Sequence, residues 1–125
     1  MYTVAVKRDF IANHYLTGGD WGAENEPHAH HYQVEVQLQG EQLDRHGYLV
    51  DIVEVEQHLE AVVADVAGRT LNDLAAFAGL NPSIERLATI LHGAFRTRFA
   101  HLRLQALTVT LWEDEIAWTS YRAPL

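Results

Sequence analysis

His28-Ala29-His30-His31-Tyr32-Gln33-Val34-Glu35-Val36-Gln37-Leu38-Gln39 alternates along its whole length. His28, His30, Tyr32, Val34, Val36 and Leu38 fall on one face, and Ala29, His31, Gln33, Glu35, Gln37 and Gln39 on the other. A strand repeats every two residues, so this is a half-buried strand. His28 and His30 continue its apolar face, while His31 points out with the glutamines. Imidazoles on a buried face need partners, because an unpaired polar group is costly to desolvate. Two readings follow: a pair of metal ligands, or two hydrogen-bonded core histidines.

Working outward, Tyr2 to about Tyr15 alternates too. Val4, Val6, Phe10, Ala12 and His14 share a face that Arg8 interrupts. In an antiparallel pair the end of the first strand meets the start of the second, which brings His14 toward His28 and His30. Three neutral imidazoles at one end of a sheet make an open zinc site with a fourth position free. Between the strands, Leu16 to Pro27 is a Gly- and Asp-rich loop carrying Asp20, Glu24 and Glu26. Loops held by a rigid sheet often carry catalytic groups, and such a loop can equally be a solvated acidic one.

Further on, Asp44-Arg-His-Gly47 reads as a turn, and Asp51 with Glu54 has the spacing of a capping box. Val55, Leu59, Val62, Val63 and Val66 give a helix an apolar face, with Gly68 as its stop. Arg69 to Leu80 reads as an irregular connection. Asn81 is read as the cap of a second helix with Pro82 at its first position, and Ile84, Leu87, Ala88, Leu91, Ala94 and Phe95 as its apolar side. From Leu104 the period returns to two. Leu107, Val109, Leu111 and Glu113 share a face on which Glu113 is the only charge, and a last strand is read over Ile116 to Arg122. The order strand, strand, helix, helix, strand, strand implies an α+β domain, with an antiparallel sheet covered on one side by two helices.

Composition narrows the function. At 125 residues with 48% hydrophobic and 21% charged residues, the chain reads as one globular domain, residues 1–125. The net charge of −8 argues against a nucleic-acid surface, and no apolar run reaches the length of a membrane span. The simplest location is cytoplasmic. With no cysteine, thiolate ligands and a cysteine nucleophile are excluded. Of the eight histidines, His31, His46, His58, His92 and His101 are read at turn or exposed positions without a role.

Several motifs in order resemble the 6-pyruvoyl-tetrahydropterin synthase family, which includes the 6-carboxytetrahydropterin synthases of queuosine synthesis. They are Phe10-x-Ala12-x-His14, His28-Ala29-His30-x-Tyr32, Gly47-Tyr-Leu-Val-Asp51, Asn81-Pro82-Ser83-x-Glu85 and Val109-x-Leu-x-Glu113. The resemblance implies a T-fold that assembles as trimers pairing into hexamers, with active sites between subunits. It implies Zn2+ held by His14, His28 and His30, and a pterin substrate anchored by Glu113. Two departures stand out. Glu24 occupies the region where the family carries a cysteine, with Glu26 close by as a second candidate catalytic carboxylate. The family's Asp-His pair aligns at about Ala67 and Gly68, where Arg69 is the nearest polar group. The implied function is zinc-dependent lyase or proton-transfer chemistry on the side chain of dihydroneopterin or its triphosphate. One branch resembling this pattern uses glutamate for cysteine and makes 6-hydroxymethyl-dihydropterin. A T-fold protein that holds zinc and binds a pterin or purine-like ligand without turnover is the alternative.

Overall fold

In a computed structural model describing residues 1–125, the elements follow the order read from the sequence. They are β1 (Tyr2–His14), β2 (His28–Gly40), α1 (Ile52–Ala64), α2 (Ile84–Arg98), β3 (Ala106–Trp112) and β4 (Trp118–Pro124). The strands form one antiparallel sheet in the order β1-β2-β3-β4, so both helices lie in the connection from β2 to β3. No helix is long and apolar enough to cross a membrane.

The apolar faces meet between sheet and helices. Tyr32, Val34, Val36 and Leu38 of β2 and Leu107, Val109 and Leu111 of β3 are fully buried. They pack with Val55, Leu59, Val62 and Val63 of α1 and Leu87, Ala88, Leu91 and Phe95 of α2. Removing each such side chain from water contributes roughly 1.5–3 kcal/mol. Arg8, which breaks the apolar face of β1, reaches across the edge of this layer to Glu60 on α1 at 3.0 Å.

Four local readings are corrected. Asn81 does not cap α2: Ser83 does, its hydroxyl accepting from the Arg86 N–H, while Asn81 accepts from the Thr17 N–H at 2.9 Å. Asp51 caps α1 through the Val53 N–H, but Glu54 turns away from the cap toward His58 and His101, so the reciprocal box is not formed. The last strand starts at Trp118, not Ile116, because the Asp114 carboxylate holds the Ile116 and Ala117 N–H groups in a turn. His92 is buried and Ala94 exposed. The apolar stripe of α2 passes through 88, 91, 92, 95 and 99, and His92 satisfies its ring by pairing Nε2 with the Leu107 carbonyl at 3.0 Å.

The connection over Arg69 to Leu80 is more ordered than its composition suggests. It holds two short 3-10 turns, Leu71–Asp73 and Ala75–Phe77, and buries Leu71 and Phe77 in the core. Its start lies along the outer edge of β1: the Gly68 N–H donates to the Ile11 carbonyl and the Asn13 N–H to the Arg69 carbonyl. Gly68 has φ +72°, a left-handed conformation that a side chain would strain.

Candidate functional site

The site begins with the register of the first hairpin. His14 pairs with His28, and Ala12 with His30. Directly paired residues share a face, and so do residues two apart along one strand. His14, His28 and His30 therefore meet on the helix-facing side of the sheet, at its end. Their ring centroids lie 4.6, 4.7 and 4.9 Å apart, each pair edge to face. One nitrogen from each ring lies within 4.8 Å of the others.

Hydrogen bonds at the backs of two rings decide which nitrogens converge. His28 Nδ1 is 2.8 Å from the Glu26 carbonyl, to which it donates, and His14 Nδ1 is 3.1 Å from the Tyr32 hydroxyl. That turns the Nε2 atoms inward. The Nε2 atom of His28 is buried and has no partner, and that of His30 is buried with only the Glu113 carboxylate near it, at 3.2 Å but outside hydrogen-bond geometry. An unsatisfied buried polar atom costs about 1–3 kcal/mol, and a cation among the rings removes that penalty. Burial, then the neighbouring His30 and His28, lowers the His14 pKa to about 4, with the Pro82 carbonyl opposing the shift. His14 is therefore neutral at pH 7, the form a metal requires. Burial and the Glu113 carboxylate raise the Tyr32 pKa, so its hydroxyl keeps its proton.

Glu113 joins the same end of the sheet. Trp112, the last residue of β3, pairs with Gln33, and Glu113 follows it directly. The Glu113 carboxylate lies 3.2 Å from His30 Nε2 and 3.9 Å from His14 Nε2. It also borders an open hollow of about 580 Å³ at the edge of the sheet, where His30 meets Asp9, Ala29, His31 and Gln33 of the opposite face. That volume is in the range of small-molecule sites. No lysine or arginine lines it.

The loop before β2 is held by its own polar groups. Asn25 accepts from the Trp21 N–H and donates to the Leu16 and Gly19 carbonyls, and Asp20 accepts from the Gly22 N–H. Asp20 is thus a turn residue. The Leu16 N–H donates to the Glu24 carbonyl, which brings residue 24 back beside the strand end that carries His14. The Glu24 and Glu26 carboxylates are exposed and make no hydrogen bond or ion pair in this chain. What Glu26 contributes directly is its backbone carbonyl, which orients His28.

Three polar residues of the site escaped the reading of the sequence for function. Tyr32 was legible as a face-mate of His28 and His30, though its role behind His14 was not. Asn72 bonds both the N–H and the carbonyl of Tyr15, and Asn81 bonds Thr17, so the β1–β2 loop leaves His14 in a fixed direction. No local pattern marks such long-range side-chain bonds. At Ala67 and Gly68 there is neither an acid nor a base.

An antiparallel four-stranded sheet with both helices inserted between its second and third strands is a T-fold unit, and solved structures similar to it include enzymes named for pterin chemistry. The chain belongs to the 6-pyruvoyl tetrahydropterin synthase family, whose sequence profile matches residues 3–124. The Caenorhabditis elegans 6-pyruvoyl tetrahydropterin synthase superposes with TM-score 0.78 at 21% identity, covering 98% of this chain and 97% of that one. A Plasmodium vivax 6-pyruvoyltetrahydropterin synthase with a catalytic glutamate replaced by alanine gives TM-score 0.82 at 12% identity, covering 99% and 98%. Escherichia coli dihydroneopterin aldolase, solved with neopterin, gives TM-score 0.61 at 13% identity, covering 98% and 99%. At these identities the likeness is one of fold. A comparison with curated proteins returns no sequence match.

Proposed function

We propose that the chain is a zinc-dependent pterin enzyme acting on the side chain of dihydroneopterin or its triphosphate. The observation that carries this reading is the convergence of the His14, His28 and His30 Nε2 atoms, that of His28 buried without a partner, beside the Glu113 carboxylate. His14, His28 and His30 would hold the ion. When bound, zinc supplies Lewis-acid polarisation of side-chain oxygens and can bring a water to a pKa near ~7.

The chain's own residues do the rest. Glu113 accepts from the N–H groups of the pterin ring and fixes its orientation, since an ionised carboxylate is an acceptor only. Tyr32 and the Glu26 carbonyl keep two of the imidazoles aligned, as outer partners of ligands do. Glu24 is the candidate acid or base that moves the side-chain proton, with Glu26 as the neighbouring carboxylate. A positioned acid or base contributes about 10²–10⁴-fold. The Plasmodium vivax synthase likewise has a catalytic glutamate; with glutamate in this role, the proposed product is 6-hydroxymethyl-dihydropterin. Since neither carboxylate reaches the histidines in one chain, the reading includes an assembly, trimers pairing into hexamers, in which neighbouring subunits complete each site.

A second reading, a zinc-containing T-fold that binds a pterin without turnover, is favoured by the exposed, unpartnered Glu24 carboxylate and the lack of an Asp-His pair. One experiment separates them. The zinc-loaded oligomer is incubated with dihydroneopterin triphosphate or dihydroneopterin, and products are followed by chromatography. Conversion of either supports the enzyme; binding without conversion supports the second reading.

A further inference from the structure

A second set of metal-ligating side chains lies away from the hairpin. We propose that Glu54, His58 and His101 form a site for a divalent first-row transition ion of the zinc type, joining α1 to the connection between α2 and β3. Their ligand atoms lie within 4.8 Å of one another. Two nitrogens and one carboxylate oxygen are a donor set that suits Zn2+, Co2+ or Ni2+, with coordination positions left for water.

The geometry is built from both sides. Glu54 and His58 are four apart on α1 and so share a face of the helix. His101 comes from a turn anchored by the fully buried Phe99, whose carbonyl accepts from the Leu102 N–H. Phe99 also sets the His58 ring, which stands edge-on to it at 5.5 Å. Both imidazoles direct Nε2 at the same atom, Glu54 Oε1. A helix cap does not call for that arrangement; Glu54 has left the capping position to make it. The side chains of Glu54 and His58 are 33% and 23% exposed, so they are already partly stripped of water. Arg98 Nη1 sits 3.4 Å from His58 Nδ1. With His58 as a ligand, Nδ1 carries the proton and the exposed Arg98 side chain turns to solvent.

The ion exchanges two N–H···O bonds for three coordinate bonds and ties together parts of the chain 47 residues apart. The metal-free oligomer is titrated with Zn2+ in competition with a chromophoric chelator, beside Glu54→Gln and His101→Ala. Each variant is expected to take up one equivalent per chain fewer than the parent at stoichiometric zinc. A His28→Ala, His30→Ala variant is expected to keep that equivalent, so the result does not depend on the site at the hairpin. Should one variant fail to fold, the ring signals of His58 and His101 in the parent are followed by NMR during the titration. Unchanged stoichiometry in the folded variants, or ring signals that do not move with zinc, overturns the proposal.

Discussion

The Tyr32 hydroxyl stands 3.1 Å from His14 Nδ1 and leaves the opposite nitrogen of that ring facing His28 and His30. Phe10 stacks on the Tyr32 ring at 5.2 Å, so the phenol is held in place whatever its oxygen does. Tyr32→Phe therefore keeps the packing and removes one hydrogen bond. Outer partners of this kind change metal affinity by about 10–100-fold. We expect zinc affinity, measured by chelator competition, to fall within that range, with stability in urea lower by about 1–3 kcal/mol.

His30 and His31 are adjacent in sequence and opposite in orientation. His31 is 66% exposed and lies 3.3 Å from Asp9 on the other side of the sheet. His31→Ala is expected to leave zinc content unchanged by elemental analysis, and His30→Ala to remove the metal from the proposed centre. Equal losses from both would contradict the strand-period argument.

Glu24 and Glu113 should fail in different ways. Glu113→Gln removes an acceptor for the ring and should raise KM or weaken pterin binding by calorimetry. Glu24→Gln should lower kcat by about 10²–10⁴-fold with binding retained, the loss expected for a general acid or base. A Glu24→Gln enzyme with full kcat would remove Glu24 from the mechanism.

His92 makes stability depend on pH. Burial lowers its pKa below the ordinary 6.5, with the Leu107 carbonyl opposing and the Arg96 charge adding to the shift. The unfolded chain then binds a proton at a higher pH than the folded one, so the neutral ring's contribution is complete above pH 6.5 and is lost as pH falls toward the lowered folded value. The urea midpoint of the parent should drop across that window more steeply than that of His92→Gln. Parallel curves would contradict it.

Ser83 and Asn81 separate helix stability from site geometry. Ser83→Ala removes the cap of α2 and is expected to cost about 1 kcal/mol in urea unfolding without altering zinc affinity. Asn81→Ala frees the Thr17 N–H in the loop that follows His14, and the expected result is a weaker zinc affinity with the helix intact by circular dichroism. An unchanged affinity would show that this loop does not hold the ring.

The architecture was legible because each strand is half-buried, so its period of two survives in the sequence; β2 alone separated His28 and His30 from His31. The convergence of His14 with them followed from antiparallel pairing, and the register, His14 opposite His28, carries it out. Glu113 was legible as a lone charge on an apolar strand face. Missed elements have a common cause. Asn81 and Glu54 fit local capping patterns, yet each bonds a residue more than 45 positions away, Thr17 and His101. His92 was set aside by residue type although its helical position placed it inside. Leu71 and Phe77 are buried in short turns with no regular period, where neither helix nor strand spacing can act as a guide.

All three hairpin histidines lie within residues 14–30, while Glu113, the carboxylate that meets them, directly follows β3, a strand that comes after both helices. During synthesis at about 5–20 residues per second, the hairpin leaves the ribosome roughly 4–17 s before that strand does. For that interval β2 has β1 on one side and an open edge on the other. The order of the chain thus gives nascent histidines their first opportunity to meet a metal ion before the wall of the pocket has been translated.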